Sequence, residues 1–478
     1  MTRVVGQVVF AALLAAVCLA GSVVRAQAPD REVRVPARKP PAWVDSAVIY
    51  EIYPRDFSAE GTLNGVTAKL DQLHNLGVNV LWIMPVHPIG QVKRLGPLGS
   101  PYSPRDYYAI DPSLGTKQDF ANLVTSAHER GMRVILDMVA DHTSWDSVMM
   151  AHPEFYTHDK AGNIVSPRGW TDVAGLNYSN PALRKYMIEV FVYWLKTFRL
   201  DGFRCDAAAM VPTSFWEELR PALQVVNPNL LMLAEASKPD LMTKAFDLDY
   251  AWPMLATFDQ VLENGSPASS VQATWLQQTR LFPQGAQHML ISDDHDERRA
   301  IVRYGERGTL AASALVFTLP GVPMLYNGME VGDATASGAP ALFSKRTIDW
   351  SAAQQERTFP GFYHALIQLR ENSQALRHGS LQWLHNSDQQ HVVSFERRSG
   401  DDTELVTVNL SNTPFDGGVE AETPPGKRWA EESLPEGGND RARGTREPPP
   451  VALPALSLDP FQTRIFRLAP AKPGGGLE

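Results

Sequence analysis

The chain repeats one pattern eight times. An apolar run short enough for a strand is followed by a turn and then by a stretch with helical spacing. Short runs that are apolar throughout read as strands buried on both faces, and their alternation with helices argues for a parallel α/β sheet. The strand candidates are residues 47–53, 78–84 and 133–139, the runs ending at Asp206 and Glu235, residues 247–250, the run 290–296 and residues 323–326. Helical spacing falls at 63–76, 120–129, 181–198 and 213–226, the third opening with Asn180 as N-cap and Pro181 at the first helical position. These units predict a (β/α)8 TIM barrel over residues 43–376, closed by a helix near 361–370. In such a barrel the C-terminal ends of the strands carry the chemistry. Three runs finish in acids, Asp206, Glu235 and the His295-Asp296 pair. Carboxylates converging from separate strands are the layout that glycosidic bond cleavage needs.

The rest of the chain frames that barrel. Residues 143–177, between the third strand and its helix, exceed an ordinary connection and predict a small inserted subdomain. From residue 377 to 470 the pattern changes to alternating segments such as His391-Val392-Val393-Ser394-Phe395-Glu396, which predict a C-terminal antiparallel β-sandwich domain. Residues 420–450 read as a long loop and 471–478 as a disordered tail. At the other end, Arg3, an apolar run over 8–24 and Ala26-Gln27-Ala28 predict a signal peptide over 1–28, followed by a linker over 29–42. The expected location is therefore secreted or periplasmic, with no membrane contact after cleavage.

Loss of Arg3 and Arg25 with that leader takes the formal charge from −9 to −11. A surplus of acid disfavours nucleic acid as a partner and leaves a neutral glycan unaffected. Only Cys205 would remain of the two cysteines, which excludes an intrachain disulfide and a cysteine-rich zinc site. Oligomeric state is not readable from the sequence.

Four segments occur in order: Asp137-Met138-Val139-Ala140-Asp141-His142, Gly202-Phe203-Arg204-Cys205-Asp206, the strand ending at Glu235, and His295-Asp296. Together they resemble the α-amylase family (glycoside hydrolase family 13). The resemblance implies Asp206 as nucleophile, Glu235 as general acid and base, and Asp296 as stabiliser of the oxocarbenium-like transition state. It implies sugar contacts from Tyr102, His142, Arg204 and His295, with Tyr102 stacking on a ring and the histidines donating to hydroxyls. Arg204 also favours the Asp206 anion from the same strand face. Asp137 would orient Arg204, Glu330 would be structural and Cys205 would be buried packing. Trp82, Trp170, Trp194 and Trp216 read as core or helix-face residues rather than sugar platforms.

The implied activity is hydrolysis of α-1,4 bonds in starch, glycogen or maltooligosaccharides through a covalent glycosyl-enzyme. An α-glucosidase or transglycosylase of the same family is the alternative, and a non-catalytic glycan-binding barrel a third reading. No cofactor is required. A structural calcium is possible, since Asp141 stands where many relatives place an Asn ligand, with Asp146, Asp159 and Asp172 as further candidates. Ala209 and Met210 replace a Lys-His pair that the family uses toward the leaving group. Asp294 occupies the place of a chloride-binding Asn, and a carboxylate there predicts no chloride dependence.

Overall fold

The computed structural model describes residues 35–355, 358–435 and 454–471. The expected leader, the start of the linker, residues 436–453 and the tail from 472 lie outside the described residues. Eight parallel strands close into a barrel: Ile49–Ile52, Val80–Ile83, Arg133–Val139, Gly202–Asp206, Leu231–Ala234, Leu248–Tyr250, Gln287–Leu290 and Val322–Tyr326. Pairing runs around the ring in chain order and the last strand returns to the first through Ile49 opposite Met324. The strands are buried along almost their whole length, which is why their sequences are apolar without alternation.

Local signals explain the helices. Lys117–Glu129 is held by a capping box in which Thr116 accepts from Asp119 N–H and Asp119 accepts from Thr116 N–H. Pro181–Phe198 starts behind Asn180, whose side chain accepts from Ala182 N–H. The helix expected over 63–76 is instead two, Leu63–Thr67 and Leu70–Leu76, separated where Ala68 N–H donates to the Asn64 carbonyl and Lys69 N–H to the Val66 carbonyl.

The seventh strand also departs from expectation. It stops at Leu290, so Asp293, Asp294, His295 and Asp296 sit on the loop beyond it. Side chains there replace ladder hydrogen bonds: Asp293 accepts from Ala300 N–H, and Asp294 from Asp296 and Glu297 N–H. Residues 35–42, expected to be linker, pack under the barrel instead. Ala37 N–H donates to Gln284, and Arg38 Nε lies 3.0 Å from buried Asp247.

The insertion after the third strand pairs His142–Ser144 antiparallel with Val173–Gly175 and links them by 3-10 turns. The C-terminal region holds a five-stranded antiparallel sheet (Ser380–Trp383, Val392–Ser399, Asp402–Asn409, Thr463–Pro470, Lys427–Glu432) and a ribbon of Phe415–Gly418 with Ala455–Leu458. Alternation sorts its two faces. Val393, Phe395, Val406, Val408 and Ile465 join the barrel core, while Val392, Leu405, Trp429 and Phe466 pack on Phe415, Leu456 and Leu458 of the ribbon. The expected sandwich is therefore unequal, five strands against two, with the larger layer pressed on the barrel. No helix among the described residues is long and apolar enough to cross a membrane.

Gly202 opens the fourth strand at a point of close approach. A Cβ there would lie 2.0 Å from the Leu231 carbonyl oxygen of the next strand. Backbone cannot yield as a flexible side chain can, so Gly202→Ala is expected to cost ~3 kcal/mol or more. A lowered denaturation midpoint, or loss of soluble protein, checks this; an unchanged midpoint would refute it.

Candidate active site

The fourth strand sends Arg204 and Asp206 to one side and Cys205, fully buried, to the other. Arg204 is the hub of the rim. Its Nη1 lies 3.0 and 3.1 Å from the two Asp137 carboxylate oxygens and 2.9 Å from Asp206 Oδ1. Nη2 lies 3.1 Å from Glu235 Oε2, and Nε donates to Tyr250 Oη at 3.2 Å. Only 1% of the side chain is exposed, so in this arrangement Arg204 presents almost no surface to a sugar. The expectation that it binds sugar is corrected: it is a positioning residue, held between carboxylates by its own need for neutralisation. Asp137 orients it, as expected, and is itself fixed by Trp82 Nε1 at 3.1 Å and Tyr102 Oη at 3.0 Å.

A cavity of about 530 Å³ opens over these groups, lined among others by Asp206, Glu235, Asp296, Tyr102, His142 and His295. Six of the seven residues singled out from the sequence thus share one cavity. A larger, 890 Å³ depression lies at the opposite end of the strands, between the starts of the third and fourth and three helix C-termini. Its one acid, Asp201, is already engaged by His128, Arg133 and Val134 N–H. Barrel chemistry belongs to the C-terminal rim, and the smaller cavity is the one there.

Burial and the Glu235 carboxylate both push Asp206 well above the usual aspartate range, while Arg204 pulls it down. Both protein contacts of Glu235, from Ala207 N–H at 2.6 Å and Arg204 at 3.1 Å, fall on Oε2. That leaves Oε1 as the edge able to carry a proton into the cavity.

The histidines are placed by the protein rather than left free. His295 Nδ1 lies 2.5 Å from Glu51 Oε1, its Nε2 lies 3.5 Å from Asp296 Oδ2, and its ring stacks on Tyr102 at 5.1 Å. Burial opposes its charge, but Asp296 and Glu51 outweigh burial and hold it well above the ordinary histidine value. Tyr102 therefore gives ring area to His295 that the sequence reading assigned to a sugar. His142 donates from Nε2 to the Tyr102 carbonyl at 2.7 Å, and its Nδ1 faces Asp141 Oδ1 at 2.9 Å without hydrogen-bond geometry. Both nitrogens point at protein, so the expected donation from His142 to a sugar hydroxyl is not made in this arrangement.

The calcium candidates expected from the sequence are not gathered into one group of side chains. Among the described residues the one cluster of three metal-binding side chains is Asp141, His142 and Asp206, which offers an imidazole and the nucleophile candidate rather than a shell of oxygens. Asp146 accepts from Gln91 N–H and Asp159 is exposed in its own turn; with Asp172 they do not join Asp141.

The sequence reading missed three lining or supporting residues. Glu51 had a signal, an acid inside an otherwise apolar first strand. Trp170, read as packing, is 39% exposed and lines the cavity. Trp252, the first residue of the helix after the sixth strand, lines it too. Nothing in a lone tryptophan's sequence context distinguishes these from buried Trp82, Trp194 and Trp216.

With this geometry in place, comparison identifies the family. The profile of the α-amylase catalytic domain matches residues 51–161 and 157–359. The chain belongs to the α-amylase family. It is 29% identical over 411 residues to an α-amylase of Haloarcula japonica, covering 81% of this chain and 59% of that longer protein. It is 27% identical to an intracellular maltogenic amylase of Bacillus subtilis, over 78% of this chain and 70% of that one. The crystal structure of a maltogenic α-amylase from Thermotoga neapolitana superposes with a TM-score of 0.79 at 27% identity, over 89% of this chain and 99% of the other.

The His142 site of this α-amylase-family chain carries a pH signature. Burial opposes the charge of His142, but Asp141 and then Asp206 raise it to about 9. A group raised above its unfolded value near 6.5 contributes stability in full below that value and loses it as pH climbs toward 9. The thermal midpoint is expected to fall across this window, and to fall less in His142→Asn. Parallel melting curves of the two proteins from pH 6 to 9.5 check it, and identical slopes would sink it.

Proposed function

We propose that this chain is an exported retaining α-glucan hydrolase that cleaves α-1,4 bonds of maltooligosaccharides or starch. The observation that carries this reading is the single guanidinium between Asp206 and Glu235. One Arg204 head group contacts both carboxylates. That bridging suits the spacing of about 5 to 5.5 Å used for retention rather than the ~6.5 to 9.5 Å that leaves room for water in inversion. Asp206, whose anion Arg204 favours against burial, attacks the anomeric carbon while Glu235 gives its proton to the leaving oxygen. Water then loses a proton to Glu235 and releases the sugar from Asp206. Asp296, with 44% of its side chain exposed, is the acid free to meet sugar hydroxyls beside His295.

Relatives named α-amylase, maltogenic amylase and cyclomaltodextrinase support an α-glucan as substrate. Export rests on the N-terminal sequence alone. Fractionation of producing cells tests it, with retention of the uncleaved chain inside the cell as the contrary result.

Asp206→Ala is expected to lower kcat on maltoheptaose by on the order of 10⁴ or more, the scale of losing a nucleophile. Glu235→Gln should lose activity on sugar leaving groups but less on an activated aryl glycoside, whose departure needs no proton. Proton NMR of the first product should show the α-anomer. An Asp206→Ala protein as active as the parent, or a β-anomer formed first, would overturn the mechanism. Added chloride should leave rates unchanged, because buried Asp294 has its Oδ1 engaged as an acceptor by the Asp296 and Glu297 N–H groups and lacks the amide donor of an asparagine.

A further inference from the structure

The leaving group must sit against Glu235, because the acid has to reach the departing oxygen. What surrounds Glu235 on the cavity wall is therefore what surrounds the leaving group, and later the acceptor. Two segments frame it. On one side the chain leaves the fourth strand at Ala207, whose N–H holds Glu235 Oε2, and turns through Ala208–Met210. On the other, Ala236 follows Glu235 and its carbonyl takes the Tyr250 N–H, which brings Trp252 to the same wall. One face of the Trp252 indole is covered by Tyr250, with centroids 4.7 Å apart and planes 22° from parallel. Ala207, Ala209, Met210, Ala236 and Trp252 all line the cavity. Apart from Glu235 itself, the one polar side-chain group these residues offer is the Trp252 indole N–H, and the backbone N–H of Ala207 is already engaged by Glu235.

We propose that this wall makes the acceptor side of the cavity selective for flat, apolar alcohols, so that the glycosyl-enzyme is transferred to an aromatic alcohol in preference to a sugar. The inference rests on the retaining reading above and names the acceptor class of that same site. A sugar acceptor would bring several hydroxyls to a surface with a single side-chain donor, the Trp252 indole N–H, whereas an aryl alcohol brings one hydroxyl, which Glu235 serves, and a ring that suits Trp252 and Met210. In the transfer step the alcohol oxygen bonds to the anomeric carbon and its proton goes to Glu235. The ester bond to Asp206 breaks, and its electron pair returns to the carboxylate. No other reactant is needed.

The test uses the full chain with maltotriose as donor and equal concentrations of benzyl alcohol and glucose as competing acceptors. Mass spectrometry reads benzyl glycoside, sugar transfer product and hydrolysis product from the same tube. These ratios do not depend on how much of a variant is folded. Wild type is expected to favour benzyl alcohol over glucose by about tenfold, the lower end of what a hydrophobic pocket contact discriminates. Trp252→Ala and, independently, Met210→Gln should each bring that preference down several-fold. Equal transfer to both acceptors, a preference for glucose, or an unchanged ratio in both variants would overturn the inference while leaving the hydrolase reading intact. Failure of wild type to cleave maltotriose and maltoheptaose at all would overturn the hydrolase reading and this inference with it.

Discussion

A guanidinium with 1% of its side chain exposed must be neutralised by its surroundings, and around Arg204 those surroundings are Asp137, Asp206 and Glu235. The requirement is mutual. Removing any one partner would leave a buried charge uncompensated, which is among the more costly changes a core can suffer. Three strands are thereby held in one relation at their C-terminal ends, the third by Asp137, the fourth by Arg204 and Asp206, the fifth by Glu235. The aromatic faces of Trp82, Tyr102 and Tyr250 complete the enclosure at 5.0 to 5.8 Å from the guanidinium carbon.

The three acids differ in exposure in a way that follows from their distance to that cation. Asp206, in direct contact, has 11% of its side chain exposed; Glu235, bridged at the edge, 20%; Asp296, which Arg204 does not touch, 44%. Asp206 is held between burial and Glu235, which raise it, and Arg204, which favours its anion. Glu235 meets the cavity at its edge. Asp296, on a loop beside His295, is the most open of the three.

Much of this was legible in the sequence because barrel strands are written without alternation. Residues 133–139 and 202–206 coincide with observed strands, and the acid after each of the fourth and fifth lies at the rim. The seventh strand was less legible. Its apolar run continues to Ile291, but Arg303 takes the Ser292 carbonyl and Asp293 takes the Ala300 N–H, a contest between tertiary partners and ladder that no local pattern records. Arg204 was assigned to sugar for a similar reason. Its place in a motif says that it matters to the acids, while its burial depends on Asp137, 67 positions earlier in the chain. His142 shows the same limit, since its partners are a neighbour and the backbone of Tyr102.

The attachment of the C-terminal sheet was legible as alternation but not as a direction. Val392 and Val393 point to opposite faces, and only the folded chain shows that Val393 belongs to the barrel core and Val392 to the ribbon. Arg397, from the same strand, reaches across to the Thr318 carbonyl at the C-terminal end of a barrel helix and to the Gly379 carbonyl. A cation at a helix C-terminus is favoured by the unpaired carbonyls there. Burial lowers its pKa to about 9, and the neighbouring Arg370 adds to that. A charge kept under such a penalty makes sense only if its carbonyl partners fix how the sheet sits. On that argument the sheet is part of the barrel's closure rather than an appendage, because its inner face supplies apolar surface that the helices Ala300–Thr318 and Gln374–His378 would otherwise expose.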